Sequence, residues 1–455
     1  MFNDASALIL DNSPQLYYGV AVTDLDGDGD FEFFVAGYGC ANRALKWSEG
    51  AYRTLVNPTL DDAERQAIGV ASGDIDGDGQ EEIYVLNTDT FAGRKHHADR
   101  LFDRNGTEGW RDLFGFPENA DALNLTSGRS VLALDRQGTG YYSFLVANYG
   151  GFFRLYELEA NGFLADLAPY LGLARSSGGR SLLAAPFFVD GDIDVFAGNE
   201  NDGNFLFRNL GNGKFEEVAE LQGVADPAQH ARGIALVDAL QNGQAGIVVG
   251  NWEGSHRLYR RRGDATYENI ASAEMAKPSR VRTVIAADFD NDGYEEIFFN
   301  NIGEPNRLFA WREEGWKQVS TGDALEPFGL GTGAAVADLD GDGILELLIS
   351  HGESGLQPLS LYKPRATKNH WIRFFPKSVF GAPARGAKVI LRTPDREQVR
   401  VIDSGSGYLC QMEPVAHFGL GSETHIVEVE IAFPGGATVV LNDLEVDRTH
   451  VIAHP

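Results

Sequence analysis

The chain has 455 residues, 43% of them apolar, with 28 Phe and a formal net charge of −28. That length calls for several domains or a repeat architecture, and the apolar content excludes overall disorder. The acidic balance excludes a basic nucleic-acid surface or a docking face for anionic membranes, and it suits cation binding.

In chain order, the N-terminal "MFNDASALILDNSP" lacks a basic n-region and a long apolar core, so it does not read as a signal peptide. Its "FNDASAL" resembles the last strand of a later unit, "YENIASA" at Tyr267. Residues Phe2 to Ala7 are therefore expected to complete the final unit and close a ring. The repeat begins with "DLDGDGDFE" at Asp24 and returns as "DIDGDGQEE" at Asp74, "DFDNDGYEE" at Asp288 and "DLDGDGILE" at Asp338. Decayed copies fill the gap: "DRQGTGYYS" from Asp135, "PFFVDGDID" from Pro186 and "DALQNGQAG" from Asp238. The spacings are 50, 61, 51, 52, 50 and 50 residues, which makes seven units.

Within each unit a short apolar strand enters the acidic loop, a second leaves it, and two more follow around a glycine turn. Four short strands per unit read as a blade. The predicted fold is all-β: a seven-bladed β-propeller over residues 1–363, a linker at 364–368 and a small β-sandwich over 369–455. No apolar run approaches 18 residues, so no membrane insertion is expected. Cys40 and Cys410 support neither a disulfide framework nor a CxxC site. Two buried free thiols are expected, a single bridge being the alternative.

The loops carry the chemistry. A calcium hand of the helical type needs a glutamate at position 12, but Val35, Val85, Phe299 and Ile349 stand there. The acid falls at position 9 instead, so the expected ligands come from positions 1, 3, 5 and 9, with the backbone carbonyl of position 7. These are Asp24, Asp26, Asp28, Asp30 and Glu32 in the first loop, and Asp74, Asp76, Asp78, Gln80 and Glu82 in the second. In the sixth and seventh they are Asp288, Asp290, Asp292, Tyr294 and Glu296, then Asp338, Asp340, Asp342, Ile344 and Glu346. Hard oxygen donors in this number select calcium, about four ions in all. Four ions would bring the charge from −28 to −20, since 4 × 2 = 8. The loops of units three to five, with Asp135, Asp190, Asp192, Asp194 and Asp238, are expected to be empty or to hold a weaker cation.

These units resemble the FG-GAP (VCBS-type) repeats of integrin-α-like propellers. "NHW" at Asn369, "RGAKV" at Arg385, "GSGYL" at Gly405, "HFGLG" at His417 and "FPGG" at Phe433 resemble the ASPIC/UnbV domain. Together they are similar to the cartilage acidic protein family. The resemblance implies secreted calcium-binding proteins with adhesive or interaction roles; a cytoplasmic location stays open, because no leader is visible. The functional expectation is a non-enzymatic, calcium-stabilised scaffold for an unknown protein partner, with the C-terminal sandwich docked beside the ring. Nucleic acid is not an expected partner. The alternatives are a carbohydrate-binding module, drawing on Tyr38, Trp47, Tyr149 and Trp252, or a calcium-assisted hydrolase or lyase.

Other motifs read more plainly. "GSGYL" reads as tight turns, and "KHH" at Lys95 as a solvated loop. "GLGTG" at Gly329 leads into a strand and so is no phosphate loop. "RGD" at Arg262 to Asp264 falls on a hairpin turn. Sequons stand at Asn105 and Asn124.

Overall fold

The computed structural model describes every residue except Asn105, Thr107, Glu108, Val189, Asp264, Ala265 and Glu314. Among the described residues seven four-stranded antiparallel units follow one another, each starting with an innermost strand. Those innermost strands are Tyr17–Thr23, Ala67–Gly73, Gly128–Leu134, Ser176–Ala185, Ala231–Asp238, Val281–Ala287 and Gly331–Ala337. Each packs against the next, and Gly331–Ala337 packs against Tyr17–Thr23, so the ring closes. Units 3 and 4 share one continuous sheet through the pairing of Ser143–Phe152 with Ser176–Ala185.

The N-terminal strand is shorter than the expected Phe2 to Ala7, since Ser6–Leu8 forms a 3-10 turn. Phe2–Asp4 is the outer strand of unit 7, with Phe2 opposite Pro364 and Asp4 opposite Tyr362. Phe2 is fully buried, its ring 4.8 Å from that of Phe289. Alternation of apolar residues along each strand fills the space between neighbouring sheets, as with Phe33, Val35 and Leu45 against Leu347 and Ile349.

Each innermost strand also breaks register near its start. The breaks fall between Gly128 and Ser130, Gly179 and Ser181, Ala231 and Ile234, and Val281 and Thr283, and in the same place in the other units. A bulge of this kind re-aims the side chain it carries.

The C-terminal residues form two sheets. One is Ala416–Gly421, His370–Pro376 and Thr449–Ile452; the other is Arg396–Val401, Lys388–Thr393, Glu428–Ala432 and Thr438–Leu441. Ile372, Phe374, Val389, Leu391, Phe418 and Ile431 fill the space they enclose.

This domain does not simply lie beside the ring. Residues 403–413, which include "GSGYL", run into the ring axis. Ile234 and Gly407 exchange backbone hydrogen bonds of 2.8 and 2.7 Å. Gln411 N–H donates to the Val20 carbonyl at 2.9 Å, and Ala133 N–H to the Ser404 carbonyl at 2.9 Å. The segment thus satisfies innermost strand edges that would otherwise be unpaired. Glycines permit the approach: a Cβ on Gly19 would stand 2.3 Å from the Leu409 carbonyl oxygen. The glycine cluster therefore plugs the ring, a use that a turn-rich pattern conceals.

Both cysteines are free; Cys410 is buried at the axis and Cys40 only half-buried. Lys95 departs from the solvated-loop reading. It is buried, and its ammonium donates to Asp99 and, at 2.6 Å, to the Asn87 carbonyl. Asn124 is wholly buried and donates to Asp99 at 2.7 Å, so its sequon faces the interior. Asn105 and Asp264 lie outside the described residues, while Arg262 pairs with Glu268 at 2.6 Å.

Candidate metal centres

Four loops share one scaffold. The position-1 aspartate folds the turn by accepting backbone N–H groups: Asp24 from Gly27 at 2.6 Å and Gly29 at 3.0 Å, Asp74 from Gly77 at 2.7 Å and Gly79 at 3.0 Å. Asp288 and Asp338 do the same for Gly293 and Gly343. The position-6 glycines have φ of 96°, 89°, 90° and 79°, which a side chain would strain. The position-9 glutamate accepts the N–H of position 2 with one oxygen, at 2.7 Å for Glu32, 2.6 Å for Glu82, and 3.0 Å for Glu296 and Glu346. Its other oxygen is left facing the loop centre.

Carboxylate oxygens gather within 4.8 Å of one another in each loop. The groups are Asp24, Asp26 and Glu32; Asp74, Asp76 and Asp78; Asp76, Glu82 and Asp103; Asp288, Asp290 and Glu296; and Asp338, Asp340, Asp342 and Glu346. Asp28 and Asp292 fall outside them. Asp28 is held by Lys46 at 2.6 Å and Asp292 by Arg312 at 3.1 Å. The position-7 residues Asp30, Gln80, Tyr294 and Ile344 each donate their N–H to the position-5 carboxylate.

The third strand of each unit makes the loops unequal, and no sequence reading of the loops alone would show it. Lys46 reaches Asp26 and Asp28 at 2.6 Å and Glu32 at 3.2 Å. Lys363 reaches Asp340 at 2.5 Å, Asp342 at 2.8 Å and Glu346 at 2.9 Å. Unit 2 places a further carboxylate, Asp103, where these units carry lysine. The signal was available in the aligned third strands "RALK", "RLFD" and "SLYK", whose fourth residues are Lys46, Asp103 and Lys363.

Burial penalises the ionised carboxylates, and in Glu32 and Glu346 it outweighs the neighbouring lysine. It pushes Glu32 up to about 7, Asp74 to about 7 and Glu346 to about 8. Glu82 is raised well above the ordinary range by burial and then by Asp76, and its Oε1 is buried with no hydrogen-bond partner. An orphaned carboxylate oxygen among acids fits a hard cation.

Units 3 and 5 keep the position-1 aspartate but lose the other acids, while unit 4 keeps Asp190, Asp192 and Asp194 but has Pro186 at position 1. Asp135 accepts from Thr139 and Gly140, Asp238 from Asn242 and Gly243, and Asp194 from Phe187. Among the described residues no group of three acids gathers in these loops.

Loops 6 and 7 also meet the C-terminal domain. Gly419 N–H donates to Asp288 at 3.1 Å, Arg373 to Asp338 at 2.9 Å and the Asn369 amide to the Asp290 carbonyl at 2.8 Å. His417 pairs with Asn291 at 2.6 Å. The acidic face is thus a seat for the second domain.

Residues 381–455 match the ASPIC and UnbV family. Residues 24–85, 187–249, 238–299 and 290–349 match the FG-GAP-like repeat. Cartilage acidic protein 1 of Xenopus tropicalis is 45% identical, over 98% of this chain and 74% of its own length. The Homo sapiens protein of that name is 46% identical over 95% of this chain and 71% of its own length. Among solved structures, BBS1N in complex with ARL6DN aligns with a TM-score of 0.48 at 11% identity, over 80% of this chain and 98% of that one. Repeats, C-terminal domain and near full-length identity agree: the chain belongs to the cartilage acidic protein family.

Proposed function

We propose that the protein is a non-enzymatic scaffold for protein contacts, its ring held by calcium in the four acidic loops. The observation that carries this reading is Glu82 Oε1, buried without a partner beside Asp76 and Asp103. The position-1, -3, -5 and -9 carboxylates would hold the ions, with the carbonyls of Asp30, Gln80, Tyr294 and Ile344 and, in unit 2, Asp103. Calcium would supply the positive charge that buried acids need, and so tie each loop to its strands. Because loops 6 and 7 bond to the C-terminal domain, it would also steady that domain's seat. In units 1, 6 and 7, Lys46, Arg312 and Lys363 place a cation on the loop carboxylates themselves, whereas in unit 2 Arg111 pairs with the added Asp103, so unit 2 is the loop expected to bind most tightly. The family name of the curated relatives supports an extracellular setting.

Thermal unfolding in calcium and after chelation, with bound ions counted by atomic emission, tests the reading. A large fall in Tm on chelation and more than one ion per chain are expected. An unchanged melt with no bound calcium would overturn it.

A further inference from the structure

The ends of the innermost strands remote from the acidic loops carry a feature that the metal reading leaves unused. Arg129, Arg180, Arg232 and Arg282 stand 51, 52 and 50 residues apart, at the same place in four consecutive units. Each lies within the register break at the start of its strand. A strand of seven residues separates such a position from the acidic loop by about 20 Å.

The four guanidinium groups form a continuous arc around the tip of the axial plug. Arg129 and Arg180 both lie over the rings of Phe91 and Tyr149, at 4.4 to 5.7 Å. Arg180 and Arg232 share the carboxylate of Glu200. Arg232 and Arg282 both lie over Trp252, at 5.5 and 4.6 Å. Arg282 reaches Glu353 on its other side and lies 5.6 Å from the ring of Tyr408. Burial opposes ionisation of Tyr408, yet the fields of Arg180, Arg282, Arg129 and Arg232 together hold its pKa below the ordinary tyrosine value.

Four guanidinium charges thus meet two carboxylates in a chain whose net charge is −28. All four arginines are buried, and the Nε groups of Arg232 and Arg282 have no hydrogen-bond partner. Stacking on aromatics orients a guanidinium but does not neutralise it. Like charges buried together in excess of their counter-ions destabilise a fold unless an anion joins them. Phe91 at the rim is 66% exposed, so one wall of the arc is open to solvent.

We infer that this arc at the mouth of the ring axis is a binding site for an oxyanion, a carboxylate or sulfate, either free or carried on a sugar acid. Planar guanidinium forks match such groups with paired hydrogen bonds. The aromatic rings beside them would accept the apolar face of a sugar.

Tryptophan fluorescence of the calcium-saturated full chain, titrated with sodium sulfate and with sodium glucuronate at constant ionic strength, tests this. Trp252 lies within the arc and reports on it, and W252F identifies its share of the signal. Saturable binding of either probe above a chloride control is expected. Tighter binding of glucuronate would indicate a sugar-borne group, and tighter sulfate a free anion. The variant R232Q/R282Q is expected to lose at least about tenfold in affinity. Glu353→Gln leaves the core untouched and frees Arg282, so it is expected to tighten binding several-fold even if the double variant folds poorly. Absence of saturable binding by both probes, or unchanged affinity in E353Q, would overturn the assignment.

Discussion

Arg385 offers a direct test of how the axial plug is held. It is fully buried and donates six hydrogen bonds, four of them across the interface of ring and C-terminal domain and two to the plug itself. Two go to the Glu81 carboxylate at 2.5 and 3.1 Å. The others go to Ser72 Oγ at 3.0 Å and to the carbonyls of Val22 at 3.0 Å, Asp403 at 2.7 Å and Met412 at 3.3 Å. Arg385→Met keeps the apolar stem and removes the charge. Glu81 would then retain only the hydroxyls of Thr23 at 2.8 Å and Ser72 at 3.2 Å. Stranding one partner of a buried ion pair costs about 3–5 kcal/mol, and three carbonyls lose donors besides. The expected loss in urea unfolding is therefore about 5 kcal/mol. The double variant R385M/E81Q removes the stranded charge and should be distinctly more stable than R385M. A loss below about 1 kcal/mol, or a double variant no better than the sum of the singles, would show that the pair does not anchor the plug.

Three further outcomes are expected. Phe2→Ala opens a cavity against Phe289 and Phe298 and should cost about 3–5 kcal/mol by denaturant titration; a near-neutral effect would mean that ring closure contributes little. Asp103→Asn should weaken the tightest calcium site about tenfold in equilibrium dialysis, an effect that loops 1 and 7, with their own lysines, would not show. His256 is buried, and that burial, followed by the fields of Arg307 and Arg257, lowers its pKa to about 3. Protonation therefore favours the unfolded chain. The contribution to stability is complete above pH 6.5 and is lost as pH falls towards 3, the loss amounting to about 2 kcal/mol at pH 5. Acid unfolding monitored between pH 7 and 5, with His256→Asn as the comparison, checks this; parallel curves for the two proteins would refute it.

The repeat, its strand order and the acidic loops were legible in the chain because each is a local property. A period of about 50 residues, alternation along strands and alternate carboxylates before a glycine are all fixed by near neighbours. Even the ring closure could be read, since Phe2–Asp4 repeats the pattern of a strand that unit 7 lacks. What only the tertiary structure decided depends on groups far apart in sequence. Whether a loop faces Lys46, Lys363 or Asp103 is set by pairing with a third strand 14 to 21 residues beyond its glutamate. That Gly405 to Leu409 enters the ring axis depends on unpaired strand edges from several units converging there. The arginines of units 3 to 6 are in phase in the sequence, but only the bulges that turn them to one axis bring their charges together. Charge type is written along the chain; which charges meet is decided when distant strands close a ring.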